Sequence, residues 1–173
     1  KIISISDFIS DHIMKNFPEC KSKIMLINRG IDTNYFHLNS VTQHRKEKAL
    51  SDLGIDEGKH IILLPGRLTS WKGHEVAIKA AEILTTKHPQ LNFTMIFVGS
   101  EQNRKKYKDF LDKRIKRLNL VSKVLLVGTK LDMPAIYSLS DIIISTSILP
   151  EAFGRVSAEA SSLSKPIIAT NLG

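Results

Sequence analysis

The chain has 173 residues, of which 42% are hydrophobic and 24% are charged. This is the composition of an ordinary globular chain, and it excludes extended disorder, collagen and coiled-coil architectures. The single cysteine, Cys20, excludes an intramolecular disulfide framework and a cysteine-rich zinc site. No apolar run approaches the roughly 20 residues that a membrane-spanning helix needs.

The chain is basic, because 25 lysines and arginines stand against 17 aspartates and glutamates, for a formal net charge of +8. A basic chain favours an anionic partner such as nucleic acid, a membrane surface or a phosphorylated ligand. Much of the excess lies in residues 101–117, where apolar residues recur at helical spacing. We interpret this segment as an amphipathic helix whose basic face is solvated. Contact with anionic lipid is the second interpretation, and nucleic acid the third, because no recognition motif accompanies the charge.

Short, β-branched apolar runs alternate with helical patterns along the chain. The predicted strands are Ile2–Ser6, Ile24–Asn28, His60–Pro65, Asn92–Val98, Lys123–Val127, Ile142–Ser145 and Pro166–Thr170. The predicted helices are Asp7–Asn16, Gly73–Thr86, Asn103–Leu118, Met133–Leu139 and Phe153–Leu163. The polar stretch 37–59 is expected to be a loop with a short helix. Alternating strands and helices predict an α/β fold with a doubly wound parallel sheet. Ligands bind such sheets beyond the carboxyl ends of the strands, so the loops that follow strands are the candidates.

The first candidate loop, Leu64–His74, joins a predicted strand to a predicted helix. Gly66 is expected to let the backbone turn sharply. Arg67 and Lys72 flank a helix N-terminus, where free N–H groups favour a phosphate. The loop fits neither the G-x-G-x-x-G pattern nor the Walker pattern. Taken alone, it is explained equally well as an ordinary turn with surface cations.

The second candidate loop, Leu149–Ala160, carries two carboxylates, Glu151 and Glu159, eight positions apart. If a helix starts near Phe153 or Gly154, Glu151 lies before it and Glu159 about two turns inside. The two would then contact different parts of one extended ligand. The alternative is that Glu151 complements the helix dipole and Glu159 is solvated.

Three further loops are weaker candidates when taken singly. They are Phe97–Ser100, Val127–Pro134 and Asn28–Asp32, and in the last of these Gly30 is expected to adopt a positive φ.

Together, the order and spacing of these loops resemble the donor-sugar domain of retaining glycosyltransferases of family 4, which have the GT-B fold. The matching pieces are Asn28–Asp32, Gly66-Arg67 with Lys72-Gly73, Val98–Ser100, Gly128 with Asp132–Pro134, and Ser140-Asp141. The most specific piece runs from Pro150 to Glu159 and looks like the family's E-x7-E motif. One departure is Arg29, because relatives usually carry Asn immediately before the glycine that matches Gly30.

The resemblance implies an enzyme of two Rossmann-like domains with the active site between them. Residues 1–20 would be the last strand and helix of the N-terminal acceptor domain. Residues 21–173 would be the donor-binding domain, with six strands and without its final helices. We therefore expect a donor half of a GT-B fold that is truncated at both ends and that transfers no sugar by itself.

The resemblance also implies the reaction, which is transfer of a sugar with retention from a UDP- or GDP-sugar to a saccharide or lipid-linked acceptor. Arg67 and Lys72 would hold the diphosphate and Glu151 the sugar hydroxyls, and these three form the expected catalytic set. Glu159 would accept hydrogen bonds from both ribose hydroxyls, and the loop after Gly128 would hold the base through its main chain. The residues expected to bind the donor are Gly66, Arg67, Lys72, Gly99, Thr129, Lys130, Leu131, Phe153, Gly154, Arg155, Val156 and Glu159.

The resemblance implies no cofactor and no dedicated metal site, and the sequence has no D-x-D-type metal motif. The implied setting is the cytoplasm, in synthesis of cell-envelope polysaccharide, with the inner face of the membrane as a peripheral location and no specific nucleic acid as partner. One alternative is a GT-B nucleotide-sugar epimerase or a sugar-phosphate synthase. Another is a non-catalytic basic module that binds anionic membrane or nucleic acid, which would lose affinity steeply with salt.

Overall fold

The computed structural model describes residues 1–56 and 58–172, and these form two parallel sheets. Strands β1 (Ile2–Ser4) and β2 (Ile24–Leu26) make a two-stranded sheet. The larger sheet contains β3 (His60–Pro65), β4 (Phe93–Val98), β5 (Val124–Leu126), β6 (Ile142–Ser145) and β7 (Ile167–Ala169). Its strand order is β5-β4-β3-β6-β7. All seven predicted strands are therefore confirmed, several of them shorter than expected.

Six strands, β2 to β7, follow residue 21, as expected, but only five of them form the larger sheet. The sixth, β2, pairs with β1 in the register Ile2 to Ile24 instead. The domain boundary near residue 20, which falls between these two strands, stays a prediction.

The helices are α1 (Asp7–Asn16), α2 (Gln43–Leu53), α3 (His74–Lys87), α4 (Lys105–Arg117), α5 (Met133–Leu139) and α6 (Arg155–Ser162). The five predicted helices are confirmed to within two residues at each end. No helix in the described part of the chain is long and apolar enough to cross a membrane.

Helix α2 is longer than the short helix expected in the polar stretch 37–59. Its start is fixed by Thr42, whose hydroxyl accepts a hydrogen bond from the N–H of Arg45 at 3.3 Å. Its end is fixed by Gly54, which adopts the left-handed conformation at φ +62°. Ala49 and Leu53 are buried in the core. Packing of these few apolar residues therefore stabilises α2. The helix is hard to recognise in the sequence because most of its residues are polar or charged.

The core lies on both faces of the larger sheet, as the doubly wound prediction requires. Alternate residues of one strand point to opposite faces, so Leu63 of β3 packs with α2, α5 and α6, while Leu64 packs with α3 and α4. On the second side, α4 buries Leu111 and Ile115, and most of its charged residues face outward. The predicted amphipathic basic helix is confirmed.

The order of the strands fixes where a ligand crevice opens. The chain runs outward from β3 through β4 to β5, then returns to β6 on the other side of β3. The order thus reverses between β3 and β6, and a crevice forms outside the carboxyl ends of such strands.

Two loops interlock at this reversal, one after β3 and the other after β6. The hydroxyl of Thr146 donates to the carbonyl oxygens of Lys72 and Gly73, at 3.1 and 3.0 Å. The N–H of Ile148 donates to the carbonyl oxygen of Trp71 at 2.8 Å. Gly73 adopts φ +72°, and a Cβ atom there would lie 1.7 Å from the carbonyl oxygen of Thr146. Only glycine therefore fits at this crossing.

The requirement for glycine differs from the sequence-based expectation at two positions. Gly66 and Gly30 do not adopt a positive φ, and a Cβ on Gly66 would make only ordinary contacts, the nearest at 3.6 Å with Lys72. The tight position is Gly99, where a Cβ would lie 1.9 Å from the carbonyl oxygen of Gly66. The loop after β3 thus has two close contacts that require glycine. One is between Gly73 and Thr146 of the β6 loop, and the other is between Gly66 and Gly99 of the β4 loop.

Replacing Gly73 by alanine should lower the free energy of unfolding by about 3 kcal/mol or more, because left-handed strain adds to a backbone clash. Gly54→Ala is the matched control, since Gly54 also has a positive φ but open space around it. That control should cost only about 1–2 kcal/mol, the strain alone. Urea denaturation of both variants measures the difference. Equal losses would show that the interlock tolerates a side chain at residue 73.

Candidate functional site

A cleft of about 750 Å³ opens at the crevice between the loops that follow β3 and β6. It is lined by every site residue that the sequence predicts except Leu131. Those residues are Gly66, Arg67, Lys72, Gly99, Thr129, Lys130, Glu151, Phe153, Gly154, Arg155, Val156 and Glu159. Four separate segments of the sequence, the loops after β3, β4, β5 and β6, therefore meet in one place.

Leu131 is the exception among the predicted site residues. Its side chain is 92% exposed, and it lines a neighbouring pocket beside Arg45 and Asp132. Its carbonyl oxygen already accepts a hydrogen bond from the hydroxyl of Tyr35 at 3.1 Å. The segment that follows β5 reaches the cleft through Thr129, Lys130 and Met133.

Lys72 and Glu151 form an ion pair inside the cleft. The ammonium group of Lys72 bonds Oε1 of Glu151, and the two side chains are only 14% and 21% exposed. The hydroxyl of Ser147 donates to the same carboxylate oxygen at 2.5 Å. Among the described residues, nothing donates to the other oxygen, Oε2. One side of the Glu151 carboxylate is thus held by the protein, and the other remains available to a ligand.

Arg67 and Lys72 share an aromatic neighbour that the sequence analysis did not single out. The Nζ atom of Lys72 lies 4.4 Å from the ring centroid of Trp71, and the Cζ atom of Arg67 lies 5.9 Å from it. Cations at such distances are attracted by the negative face of the ring. Within the described part of the chain Arg67 forms no ion pair. Arg67 thus stands without an ion pair beside Lys72, which is paired with Glu151.

The opposite wall of the cleft is the start of α6. Gly154 adopts φ +74° immediately before the helix, and no side chain caps it. The N–H groups of Arg155 and Val156 belong to the first turn, which has no carbonyl partners one turn earlier. With the positive end of the helix dipole, they make a site suited to an anion.

Glu159 lies inside α6 and is only 7% exposed. Its Oε2 atom accepts a hydrogen bond from the hydroxyl of Tyr137 at 2.8 Å, and Oε1 accepts one from Arg155 at 2.9 Å. Burial and the adjacent carboxylate raise the pKa of Tyr137 well above its usual value, so it stays a donor. Because α6 begins at Arg155, Glu159 lies little more than one turn inside the helix, rather than the two expected.

Sequence reasoning gave no role to several residues that contribute to the site. Trp71 and Ser147 could have been found, because the first stands between the two predicted cations and the second lies two residues after the predicted strand β6. Tyr137 carries no such signal, because it reaches Glu159 only through the packing of α5 on α6. Ile5 also lines the cleft, and so does Arg29, whose turn the sequence analysis named without giving that residue a role.

No group of three or more histidine, cysteine, aspartate or glutamate side chains in residues 1–56 and 58–172 could hold a metal ion. The expectation that the site uses no metal and no cofactor stays a prediction.

Comparison with known proteins places the chain in a family. Residues 45–173 match the model of the family described as Glycosyl transferases group 1. The chain belongs to this family. A curated relative, spore coat protein SA of Bacillus subtilis, is 30% identical over the whole chain, which covers 47% of that protein. A D-inositol 3-phosphate glycosyltransferase of Pseudarthrobacter chlorophenolicus is 28% identical, and the chain covers 40% of it. The chain thus spans about half or less of the length of these relatives.

Solved structures of glycosyltransferases share the fold. A glycosyltransferase from Rickettsia africae superimposes with a TM-score of 0.91 at 35% identity, over 100% of this chain and 45% of that one. HepE of Anabaena, solved with UDP and glucose, gives a TM-score of 0.85 at 27% identity, over 99% of this chain and 44% of that one. The parallel five-stranded sheet is that of a GT-B, Rossmann-like glycosyltransferase domain.

Removing the Tyr137 hydroxyl should destabilise this member of the family through Glu159. In Tyr137→Phe the buried carboxylate loses one of its two donors, which should cost about 1–3 kcal/mol in the free energy of unfolding. In a Glu159→Gln background the same substitution should cost less, because a neutral amide is cheaper to leave without that partner. A double-mutant cycle of denaturation curves measures the coupling. Purely additive losses would mean that the hydrogen bond contributes nothing.

Proposed function

We propose that this chain forms the nucleotide-sugar-binding half of a glycosyltransferase that uses a UDP- or GDP-sugar. The observation that carries the proposal is the cleft itself, where two cations and an uncapped helix start face two differently held carboxylates. The family match and the UDP-glucose complexes of HepE support the same donor class. A nucleoside diphosphate sugar has the matching sequence of groups, which is sugar hydroxyls, two phosphates and a ribose.

The cations and the helix start would act on the leaving group. As the bond between the sugar and the diphosphate breaks, negative charge grows on the diphosphate oxygens. Arg67, Lys72 and the N–H groups at the start of α6 would stabilise that charge more strongly in the transition state than in the ground state. This difference lowers the barrier, whereas equal binding of both states would not.

The two glutamates would orient the donor on either side of the diphosphate. Glu151 would accept a hydrogen bond from a sugar hydroxyl through its available oxygen, Oε2. Glu159 would accept from the ribose hydroxyls, since a carboxylate has about four acceptor positions and the protein occupies two of them. Retention of configuration is part of the proposal, and the resemblance of residues 151–159 to the E-x7-E motif supports it.

The proposal also covers the acceptor of the sugar and the place in the cell where the enzyme acts. We propose a saccharide or lipid-linked acceptor and a cytoplasmic site of action, in synthesis of cell-envelope polysaccharide. The outward basic face of α4 would suit a peripheral position on an anionic inner membrane face.

The direct test is nucleotide binding by Arg67→Ala in the intact protein. Loss of a charge-assisted hydrogen bond to phosphate should weaken binding of UDP or GDP by about 1.5–3 kcal/mol. Arg117→Ala, which removes an exposed arginine at the end of α4, is the control and should leave affinity unchanged. Calorimetry with UDP, GDP and ADP at fixed salt measures both variants. Equal weakening by the two variants would favour a general polyanion surface instead.

A further inference from the structure

Ser147 is a buried residue whose hydroxyl holds the Glu151 carboxylate. Ser147 is 1% exposed, and its hydroxyl lies 2.5 Å from Oε1 of Glu151. Because a serine hydroxyl has one hydrogen to donate, that hydrogen is committed to the carboxylate. A short hydrogen bond to a charged acceptor is among the stronger kinds in proteins.

The backbone around Ser147 is fixed independently of Glu151. The hydroxyl of Thr170 donates to the carbonyl oxygen of Ser147 at 2.7 Å. The next residue, Ile148, donates its N–H to Trp71 in the interlock between the β3 and β6 loops. Hydrogen bonds therefore hold the backbone at Ser147 against the segment after β7 and the loop after β3. This fixes the position of the hydroxyl that donates to the Glu151 carboxylate.

Lys72, the other group on Oε1 of Glu151, is a less permanent partner. Its ammonium group sits on a flexible four-carbon stem. A diphosphate in the cleft brings oxygens that compete with the carboxylate for its three N–H donors. As the donor binds, the hold of Lys72 on Glu151 weakens at the moment when Glu151 is needed.

We propose that Ser147 is the positioning residue that keeps the Glu151 carboxylate facing the donor sugar once the diphosphate has engaged Lys72. The inference rests on the proposed function, because it takes Glu151 as the sugar contact. In this arrangement the two oxygens of the Glu151 carboxylate have different partners. Ser147 holds Oε1, and Oε2 is left for the sugar hydroxyl. Ser147 touches neither the sugar nor the phosphates.

The consequence is a separation between nucleotide affinity and sugar affinity. Binding of UDP alone uses Lys72 but not Glu151, so Ser147→Ala should change UDP affinity by less than about twofold. Binding of UDP-glucose also uses Glu151, so the same variant should lose about tenfold, which corresponds to about 1.4 kcal/mol. A general loss of structure would weaken both ligands together.

The test measures the ratio of UDP-glucose to UDP affinity by calorimetry on the intact protein, with GDP-mannose and GDP as the second pair. The variants are Ser147→Ala, Ser147→Thr, which keeps the hydroxyl, and Glu151→Gln. Ser140→Ala is the matched control, because Ser140 is equally buried and hydrogen-bonded but contacts Ile136 instead.

We expect the ratio of UDP-glucose to UDP affinity to fall in Ser147→Ala and to stay at the wild-type value in Ser140→Ala. In Ser147→Thr the ratio should be at least partly restored. A ratio that falls in Glu151→Gln but not in Ser147→Ala would overturn the role of Ser147 and leave the proposed function standing. A ratio unchanged in Glu151→Gln, or failure of the wild type to bind either pair, would overturn the proposed function and this inference with it.

Discussion

The crossing of the β3 and β6 loops is the contact on which the site depends. Gly73 passes the carbonyl oxygen of Thr146 so closely that no side chain fits between them. Because β3 and β6 are neighbours where the strand order reverses, this crossing lies at the crevice itself. It places Lys72, on one loop, against Glu151, on the other. A shift of either loop would separate the cation from the carboxylate without changing any residue of the site.

The cleft combines positively charged groups with two carboxylates. The unpaired Arg67 and the uncapped start of α6 provide positive potential for phosphates. Ser147 and Lys72 hold Glu151 through one oxygen, Oε1, whereas Tyr137 and Arg155 each hold one oxygen of Glu159. These hydrogen-bond donors fix the orientation of each carboxylate.

Much of the fold was predictable from the sequence. Buried parallel strands appear there as short apolar runs, and helical segments separate them at regular intervals. Helix α2 was underestimated, since its stability comes from a few buried contacts such as Ala49 and Leu53. The cleft residues were predictable where they belong to loops that follow strands. Tyr137 was not, because its contact with Glu159 joins two helices. Leu131 was assigned to the cleft by its place in a loop, but its carbonyl is taken by Tyr35.

A crystal structure of the intact protein with a bound UDP- or GDP-sugar tests most directly whether this cleft is the donor site. We expect phosphate oxygens within hydrogen-bond distance of Arg67 and Lys72. We also expect Glu159 to contact the ribose and Oε2 of Glu151 to contact a sugar hydroxyl, while Ser147 still donates to Oε1. A diphosphate bound away from Arg67 and Lys72, or a sugar that does not reach Glu151, would show that the cleft does not bind the donor in this way.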